Sequence, residues 1–557
     1  MSYINEKDKV KIGQFIDQRT PDIEISEETK RKFNEIVEVC KKSGLDGFDY
    51  IYELFRWDEI SELAAYGGFP VRYPHYLFGM EFEHMNQSYK YGYSKIYELV
   101  INNDPTYAYL LGSNSDVDNL TVIAHAYAHN DFFKNNFWFS PTNRNMINEM
   151  ASHGTKIRRY CRKYGRDKVI RFLDLALSIQ FLIDPDDVFN ESTEYREENY
   201  VDEVITEEPR KIGLHEDHEY MDDFINPDAF IEKERDRIKK SFQKKMRQFP
   251  ESPTKDIIGF LAKNSPRLRN WMKDILFMIR EEALYFVPQI KTQICNEGWA
   301  SYWDEQIMAK QCYAGDDGII DYARHHAGVM GGKYSRNPYA VGNMLLKYIQ
   351  MKWDKGRFGP EWDECKDRKK REEWDTHLNK GMEKIFEVRK LYDDRMLVDE
   401  FMDQDFCDEN EFYIWERNKK GEHVLVSKDV KDIKERMLQG IGMERFPVIR
   451  VKNANCLNLG HLHLEHVWTG QTLSQKYALE TIKFVSRLWG RPVVLTSFEI
   501  HDNYDKRIPM EINDKIFPIA YFTLDGQEAH SGIWDDYRSE FIDDEEEKKD
   551  AAAATHP

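Results

Sequence analysis

Two histidines four positions apart, His125 and His129, lie in the segment HAYAH, within a predicted helix over about 117–133. Residues four apart on a helix share one face, one turn apart, so both imidazoles can reach a single cation, as in zinc-binding helices. Ala126 occupies the position at which an HExxH helix carries its glutamate base. The spacing therefore predicts a metal-binding pair that lacks the usual base.

A third ligand must come from another part of the chain. Glu297 in NEGWASYW is the first choice, because it stands among apolar and aromatic residues of a predicted helix. His153, in a second predicted helix over about 143–163, is the alternative, and a site that uses all four residues is also compatible with the pattern. Asp131, two residues after His129, is predicted to orient an imidazole from behind. Histidine nitrogens with a carboxylate oxygen suit a divalent metal such as zinc.

Hydrolysis at such a site needs a group that takes a proton from water, and Ala126 cannot do so. The candidates are Glu149, Glu281 and Glu282, whose alternative interpretation is ordinary charge on a helix surface. Two hypotheses therefore stay open. The protein is either a metal-dependent hydrolase of peptide or amide bonds, or a non-catalytic protein in which any metal is structural.

A further histidine pattern is weaker. His461, His463 and His466 in HLHLEHV alternate along a predicted strand, which favours a structural interpretation. The sequence has no phosphate-binding loop of the GxxxxGK[ST] type and no GxSxG nucleophile elbow. Nucleotide hydrolysis and serine-based acyl transfer are therefore not indicated.

The elements that must position these residues indicate an α+β fold. We predict a mostly helical N-terminal domain with a zincin-like metal helix and a small sheet, followed by a smaller α/β C-terminal domain with helices at 429–439 and 473–488. Pro288 is expected to bend or break a helix. The predicted divisions are an N-terminal arm (1–27), a core domain (28–405) with an acidic, poorly periodic excursion (186–254), a C-terminal domain (406–540) and an acidic tail (541–557).

The small sheet is predicted from two strand-like segments, 95–101 (KIYELVI) and 106–111 (TYAYLL), which flank an Asn-Asn-Asp-Pro turn signal. The segment 49–66 is aromatic-rich and is predicted to be helical. TYAYLL lies just upstream of the histidine helix. In zincin-type metallopeptidases such a strand lies beside the metal helix, so its backbone is expected to be able to hold an extended peptide.

Composition restricts the partners. The net charge of −20 and the pI near 5.4 argue against nucleic acid, whose binding depends on Lys and Arg that neutralise phosphates. No apolar run reaches the ~18 residues that span a bilayer, and the first residues show no apolar core of a secretory signal. Seven scattered cysteines without a CxxC pair fit a reducing compartment. We therefore expect a cytoplasmic protein without a membrane span.

Several segments together resemble the SpoVR family (stage V sporulation protein R). They are YPHYLFGMEFE (73–83), YGYSKIYELVINNDPTYAYLLGSN (91–114), VIAHAYAHNDFFKNN (122–136), MASHGTKIRRY (150–160), REEALYFVPQIKTQICNEGWASYW (280–303), HAGVMGGKYSRNPYAVG (326–342) and LHLEHVWTGQTLSQKYALETIKFVSRLWGRPV (462–493). The family motif HxYxH falls on His125, Tyr127 and His129. Further family positions fall on His153, Glu297 and His326. The family usually has histidine after this Trp303, whereas the chain has Asp304.

The resemblance implies a physiological role but does not identify a chemical reaction. Members of the family are cytoplasmic bacterial proteins associated with spore cortex formation, or elsewhere with stress physiology. They are linked with an AAA-type serine kinase and a von Willebrand-like partner, and no established catalytic activity comes with the family. The EGWAxY string is also distantly similar to one in some HExxH metallopeptidase-like families, in which the glutamate completes the metal site.

Overall fold

The structure is a computed structural model that describes residues 27–90, 99–189, 249–311, 315–331, 337–418, 421–500 and 516–541. Nearly all of the predicted N-terminal arm and most of the acidic excursion lie outside these residues, as does the acidic tail after its first residue. Residues 95–98 of the first predicted strand also lie outside them.

Helices predominate in the described residues, and the strands form small sheets. The helices are α1 (Glu27–Lys42), α2 (Trp57–Ala65), α3 (Tyr76–Lys90), α4 (Asp116–Asn135), α5 (Met146–Tyr164), α6 (Arg166–Ser178), α7 (Ile257–Asn264), α8 (Asn270–Lys291), α9 (Gln293–Glu305), α10 (Gly315–Met330), α11 (Pro338–Asp354), α12 (Pro360–Glu364), α13 (Arg368–Glu372), α14 (Gly381–Leu391), α15 (Asp394–Phe401), α16 (Gln404–Glu409), α17 (Val430–Leu438), α18 (Gln475–Trp489) and α19 (Trp534–Ser539). The strands are β1 (Tyr50–Phe55), β2 (Leu99–Ile101), β3 (Thr106–Leu111), β4 (Ile414–Arg417), β5 (His423–Ser427), β6 (Ile449–Cys456), β7 (His461–His466), β8 (Val493–Ile500), β9 (Ile516–Thr523) and β10 (His530–Gly532).

The chain divides into two compact units. Unit 1 comprises Met1–Gly165 and Leu284–Arg445, and unit 2 comprises Arg166–Ala283 and Phe446–Pro557. The fold is thus mostly helical, with a separate C-terminal sheet domain. This division does not coincide with the predicted change at 405/406, because the described parts of 166–283 pack with C-terminal residues. For example, the Ser265 hydroxyl donates a hydrogen bond to the Leu488 carbonyl at 2.7 Å within unit 2.

The small sheet of unit 1 has the strand order β1-β3-β2. β1 runs parallel to β3, and β2 runs antiparallel to it. The predicted strand TYAYLL is confirmed as β3, but it lies in the centre with both edges paired, so its backbone cannot hold a peptide. The prediction of a helix over 49–66 is wrong for Tyr50–Phe55, because the parallel partner β3 draws this aromatic segment into the sheet.

Helix α4 forms the centre of unit 1. Its residues from Asn119 to Phe133 are all buried, which explains why the sequence shows little amphipathic contrast there. The helix begins where the Ser115 hydroxyl accepts the backbone N–H of Asp118 at 3.1 Å. The predicted helix over 117–133 is therefore confirmed, with all of its sides covered by protein.

Helix α9 packs on α11 with direct contact between backbones. A Cβ on Gly342 would lie 2.2 Å from the carbonyl oxygen of Ile294, and a Cβ on Gly298 would lie 2.5 Å from the backbone of Gly342. Backbone atoms cannot move aside as a flexible side chain can, so both positions require glycine. This contact sets the depth of the residue next to Gly298, which is Glu297.

The start of α9 is fixed by a buried carboxylate from another helix. Asp394 accepts the backbone N–H groups of Ile294 at 2.9 Å and Cys295 at 2.8 Å, which satisfies donors that a helix start leaves open. The predicted break at Pro288 is not observed. Pro288 lies inside α8, and the interruption comes after it, at Thr292.

Unit 2 contains a five-stranded sheet with the order β10-β9-β8-β7-β6. Only β7 and β8 pair in parallel there, and α18 connects them, so the unit contains the βαβ arrangement expected of an α/β domain. The predicted helices at 429–439 and 473–488 are confirmed as α17 and α18, but α17 belongs to unit 1. In the described ranges no helix has the length and apolar character needed to cross a bilayer.

Candidate metal centre

Helices α4 and α9 bring His125, His129 and Glu297 together. The Oε2 atom of Glu297 lies 3.8 Å from Nε2 of His125 and 3.4 Å from Nε2 of His129. One potential ligand atom from each residue lies within 4.8 Å of the others. Across the described residues, no other group of three His, Cys, Asp or Glu side chains converges in this way.

The other ring nitrogens of the two histidines bond to acceptors. Nδ1 of His125 lies 2.9 Å from Oδ2 of Asp304, and Nδ1 of His129 lies 2.9 Å from Oδ1 of Asn296. Since both partners are oxygen acceptors, both Nδ1 atoms carry a proton, and in the neutral form of each ring the Nε2 atom presents a lone pair towards Glu297. This is the tautomer that a metal-ligating histidine needs.

The separations fit a small cation. Ligand atoms about 2.0–2.2 Å from a tetrahedral zinc ion lie roughly 3.3–3.5 Å from one another. The distance of 3.4 Å between His129 and Glu297 agrees with this range, and the distance of 3.8 Å from His125 requires only a small closure. The side chains are 7%, 6% and 20% exposed, in the order His125, His129, Glu297, so the ligands are largely shielded from water.

Asp304 connects His125 to a second histidine. Its Oδ1 atom accepts the Tyr322 hydroxyl at 3.1 Å and lies 3.6 Å from Nδ1 of His326. Burial alone would raise the pKa of Asp304, but the nearby imidazoles of His125 and His326 outweigh burial and hold the pKa below its usual range. His326 is one of the positions that the family resemblance pointed to. It lies behind the triad, and Asp304 stands between it and His125.

Asp131 has partners other than an imidazole, so its predicted orienting role was wrong. It accepts the backbone N–H of Asp46 at 2.7 Å, the indole N–H of Trp299 at 2.9 Å, and a guanidinium N–H of Arg389 at 3.2 Å. Burial raises the pKa of Asp131 to about 6, although Arg389 opposes the shift. Asp131 therefore joins α4 to α9 and α14.

The remaining sequence candidates do not join the triad. Tyr127 packs in the main core, edge to face with Tyr50 at 5.9 Å between ring centres, and burial raises the pKa of its hydroxyl. His153 is buried on α5 and is not one of the converging ligands. Glu149 is half-buried on α5. Glu281 is exposed and Glu282 buried on α8, in the part of that helix that belongs to unit 2.

A cavity of about 370 Å³ adjoins the triad. Apolar side chains form much of its wall, with three amides, one cation and one carboxylate among the polar groups. Tyr339, in the first turn of α11, lies with its ring 6.0 Å from that of His125. The lining residues are Leu99, Val100, His129, Phe133, Phe286, Gln289, Ile290, Gln293, Asn296, Glu297, Tyr339 and Arg445.

Sequence reasoning missed Asp304, Asn296 and Tyr339. The first two were within reach, because both stand on the same predicted helix as Glu297. Asp304 follows Glu297 by seven residues, close to two full helical turns, so the two carboxylates share a face. Tyr339 gave no such signal, since only the packing of α11 places its ring beside His125.

The three histidines of β7 have neutral partners. His461 Nδ1 lies 3.0 Å from the Tyr537 hydroxyl, His463 Nε2 lies 3.0 Å from the Thr496 hydroxyl, and His466 Nδ1 lies 2.8 Å from the Ser497 hydroxyl. Burial lowers the pKa of all three, that of His463 to about 4. The arrangement supports their structural interpretation.

Comparison with known proteins gives one family along most of the chain. The family described as SpoVR like protein matches residues 24–446, and the family described as SpoVR-like C-terminal domain matches residues 447–499. A protein of Escherichia coli (strain K12), described as uncharacterized protein YcgB, is 25% identical over 501 residues, which cover 83% of this chain and 90% of that protein. No solved structure matches.

Proposed function

The chain belongs to the SpoVR-like protein family, and we propose that it is a metal-dependent member in which His125, His129 and Glu297 hold one divalent cation. One observation carries the proposal: both Nδ1 atoms are committed to acceptors, while both Nε2 atoms face the same carboxylate oxygen. Zinc is the proposed metal, because it takes two histidines and a carboxylate in a compact tetrahedral site.

Charge supports the same proposal. Two carboxylates, Glu297 and Asp304, border two imidazoles in a largely buried space. Buried negative charge is unfavourable unless a positive charge compensates it. A divalent cation between the imidazoles and Glu297 would provide that compensation. The histidines of β7 bond to neutral hydroxyl groups, so they need no compensating charge.

The proposed reaction is hydrolysis of a peptide or amide bond. Three protein ligands leave one position of a tetrahedral cation open, and a bound cation would polarise a carbonyl and lower the pKa of water. The cavity would hold the substrate next to the site, since His129 and Glu297 both line it. Tyr339 and the amides of Gln289 and Gln293 would donate hydrogen bonds to it.

A second candidate function is a non-catalytic, regulatory one, and a specific observation favours it. Glu297 is the sole carboxylate among the residues that line the cavity, and Glu149, Glu281 and Glu282 are not among them. A carboxylate base separate from the ligands is therefore missing from that lining. In this case the cation stabilises the fold, and the association of the family with sporulation, stress physiology, a serine kinase and a von Willebrand-like partner describes the role.

Elemental analysis tests the metal itself. The full chain, purified without chelator and without a metal-affinity tag, should carry about one equivalent of metal, and Glu297→Gln should lose it while remaining folded by circular dichroism. His153→Ala is the matched control and should keep the metal. Loss of metal from His153→Ala would identify His153 as a fourth ligand. The site would be refuted if the wild type were purified without metal and bound no zinc on incubation.

Hydrolysis is tested separately on the same preparations. The metal-loaded chain is incubated with a mixture of short peptides, and the products are identified by mass spectrometry. Cleavage that disappears on chelation and returns with zinc supports the hydrolase. If zinc raises the melting temperature but no peptide is cut, the non-catalytic candidate is favoured.

A further inference from the structure

We propose that Asp304 is a shared positioning residue, which holds His125 for the cation and connects it through Tyr322 and His326 to α10. The inference rests on the proposed metal function and adds a layer of control to the same site. It identifies α10, a helix that contributes no ligand, as a determinant of metal affinity.

The hydrogen bonds from His326, Tyr322 and His125 all lead towards Asp304 as the final acceptor. Tyr322 has a single hydroxyl proton, which it donates to Oδ1 of Asp304 at 3.1 Å. The same hydroxyl oxygen lies 3.3 Å from Nδ1 of His326 and can accept its proton. The other oxygen of Asp304 accepts Nδ1–H of His125 at 2.9 Å. Asp304 is therefore the terminal acceptor for both sides, which keeps the proton on Nδ1 of His125 and the lone pair on Nε2.

Burial makes this arrangement rigid. Asp304 is only 5% exposed, so no solvent competes for its oxygens. On the other side of the ring, Nε2 of His326 lies 3.9 Å from Glu305, which pairs with Lys347. The hydrogen bond at Nδ1 places the His326 ring beside Tyr322, and α10 itself packs on α4.

The two ligand histidines are supported unequally. Asp304 offers His125 a carboxylate, whereas Asn296 offers His129 a neutral amide oxygen. A carboxylate behind the ring raises the basicity of the ligating nitrogen more than an amide does. His125 is consequently the stronger ligand in this proposal, although it lies farther from Glu297.

The test measures zinc binding by calorimetry on the chelator-stripped full chain. Asp304→Asn should weaken zinc binding by about 10–100-fold, the usual effect of losing a carboxylate behind a ligating histidine. Tyr322→Phe and His326→Gln should weaken it less, by roughly 3–10-fold, because each leaves Asp304 in place. The visible spectrum of the cobalt-substituted protein should change in Asp304→Asn, because the geometry around His125 changes.

A matched control also lies on α10, where that helix packs on α4. Asp118 of α4 bonds His325 of α10 at 3.1 Å, a carboxylate–imidazole pair next to His326 in sequence, and neither residue is one of the converging ligands. Asp118→Asn should leave zinc affinity unchanged within about twofold. An equal loss in Asp118→Asn would mean that general packing of α10 is responsible, and would overturn the inference.

The outcomes are separable from those for the metal site itself. If the wild type binds zinc and Asp304→Asn binds it equally well, the positioning role is refuted while the metal site stands. If the wild type binds no zinc, the metal site fails and this inference fails with it. Should Asp304→Asn not fold, Tyr322→Phe decides, and unchanged affinity and cobalt spectrum in that variant would refute the connection to α10.

Discussion

Both units of the molecule bury histidines close together in sequence, yet their surroundings differ in kind. In unit 1, His125 and His129 bond to a carboxylate and an amide and share Glu297. In unit 2, the histidines of β7 bond to hydroxyl groups. Spacing alone allows a metal in either place, whereas the partners favour a cation only in unit 1.

The difference is one of charge balance. A hydroxyl satisfies a buried neutral imidazole by donating or accepting as required, and it adds no charge. Burial then lowers the histidine pKa, as it does for His463. A carboxylate instead brings a negative charge that needs a counterpart. The partners of the buried histidines in unit 2 thus fit a packing role, whereas those in unit 1 fit the cation that we propose there.

The largest expected effect is on metal content, and it tests directly whether the histidines of the two units differ in metal binding. His129→Ala should reduce metal content from about one equivalent to background, because only two ligands remain. His463→Ala should leave the metal content unchanged and should instead destabilise unit 2. Elemental analysis and thermal unfolding of both variants measure the two effects. Loss of metal from His463→Ala would show that the distinction between the units is false.

A second prediction concerns acid. The pKa of His463 falls to about 4, against the usual value near 6.5, so on acidification the unfolded chain takes up the proton first. The stability from His463 is present above about 6.5 and is lost as the pH falls towards 4, by about 3 kcal/mol. Chemical denaturation at pH 7 and pH 4.5, followed by near-ultraviolet circular dichroism, should show this loss. His463→Asn should reduce the slope, and an unchanged slope would contradict the assignment.

A smaller effect of opposite sign is expected in unit 1. Glu53 of β1 stands in register with Tyr109 and is 5% exposed, and burial raises its pKa to about 7. A carboxylate with a raised pKa favours folding in its protonated form, so this contribution is present below about 4.3 and is lost as the pH rises through 7. Glu53→Gln should therefore gain about 2 kcal/mol relative to wild type between pH 5 and pH 8.

The measurement is the difference in unfolding free energy between Glu53→Gln and wild type at the two pH values. Glu281→Gln, at an exposed position, is the control for the loss of one carboxylate. A constant difference for Glu53→Gln would mean that Glu53 ionises in the folded state as it does in water. The two units would then no longer be expected to respond to pH in opposite directions.

The local sequence pattern identified the proposed ligands more completely than the residues that hold those ligands in place. His125 and His129 followed from helical spacing, and Glu297 from its apolar neighbours. Asp131 was chosen because it stands near His129 in sequence, but two residues correspond to about 200° of rotation, which turns it to the opposite face of α4. Asp304 shares the face of Glu297, and the helical period alone identifies it.

Other features depend on contacts that no local pattern contains. Tyr50–Phe55 is a strand because β3 pairs with it in parallel, and that pairing places TYAYLL in the centre of the sheet. The described parts of 166–283 belong to unit 2 through packing with residues that are distant in sequence. Gly298 and Gly342 required the close approach of α9 and α11 before their role could be understood.

The interleaved order of the two units has a consequence for synthesis on the ribosome. The histidines lie before the segment Arg166–Ala283 and the glutamate after it, so a nascent chain exposes two thirds of the triad well before the last third exists. Domains generally fold as they emerge, N-terminal residues first. Helix α1 and strand β3, which also pack on α4, are synthesised before it, but the face of α4 that α9 covers stays exposed until α9 leaves the exit tunnel.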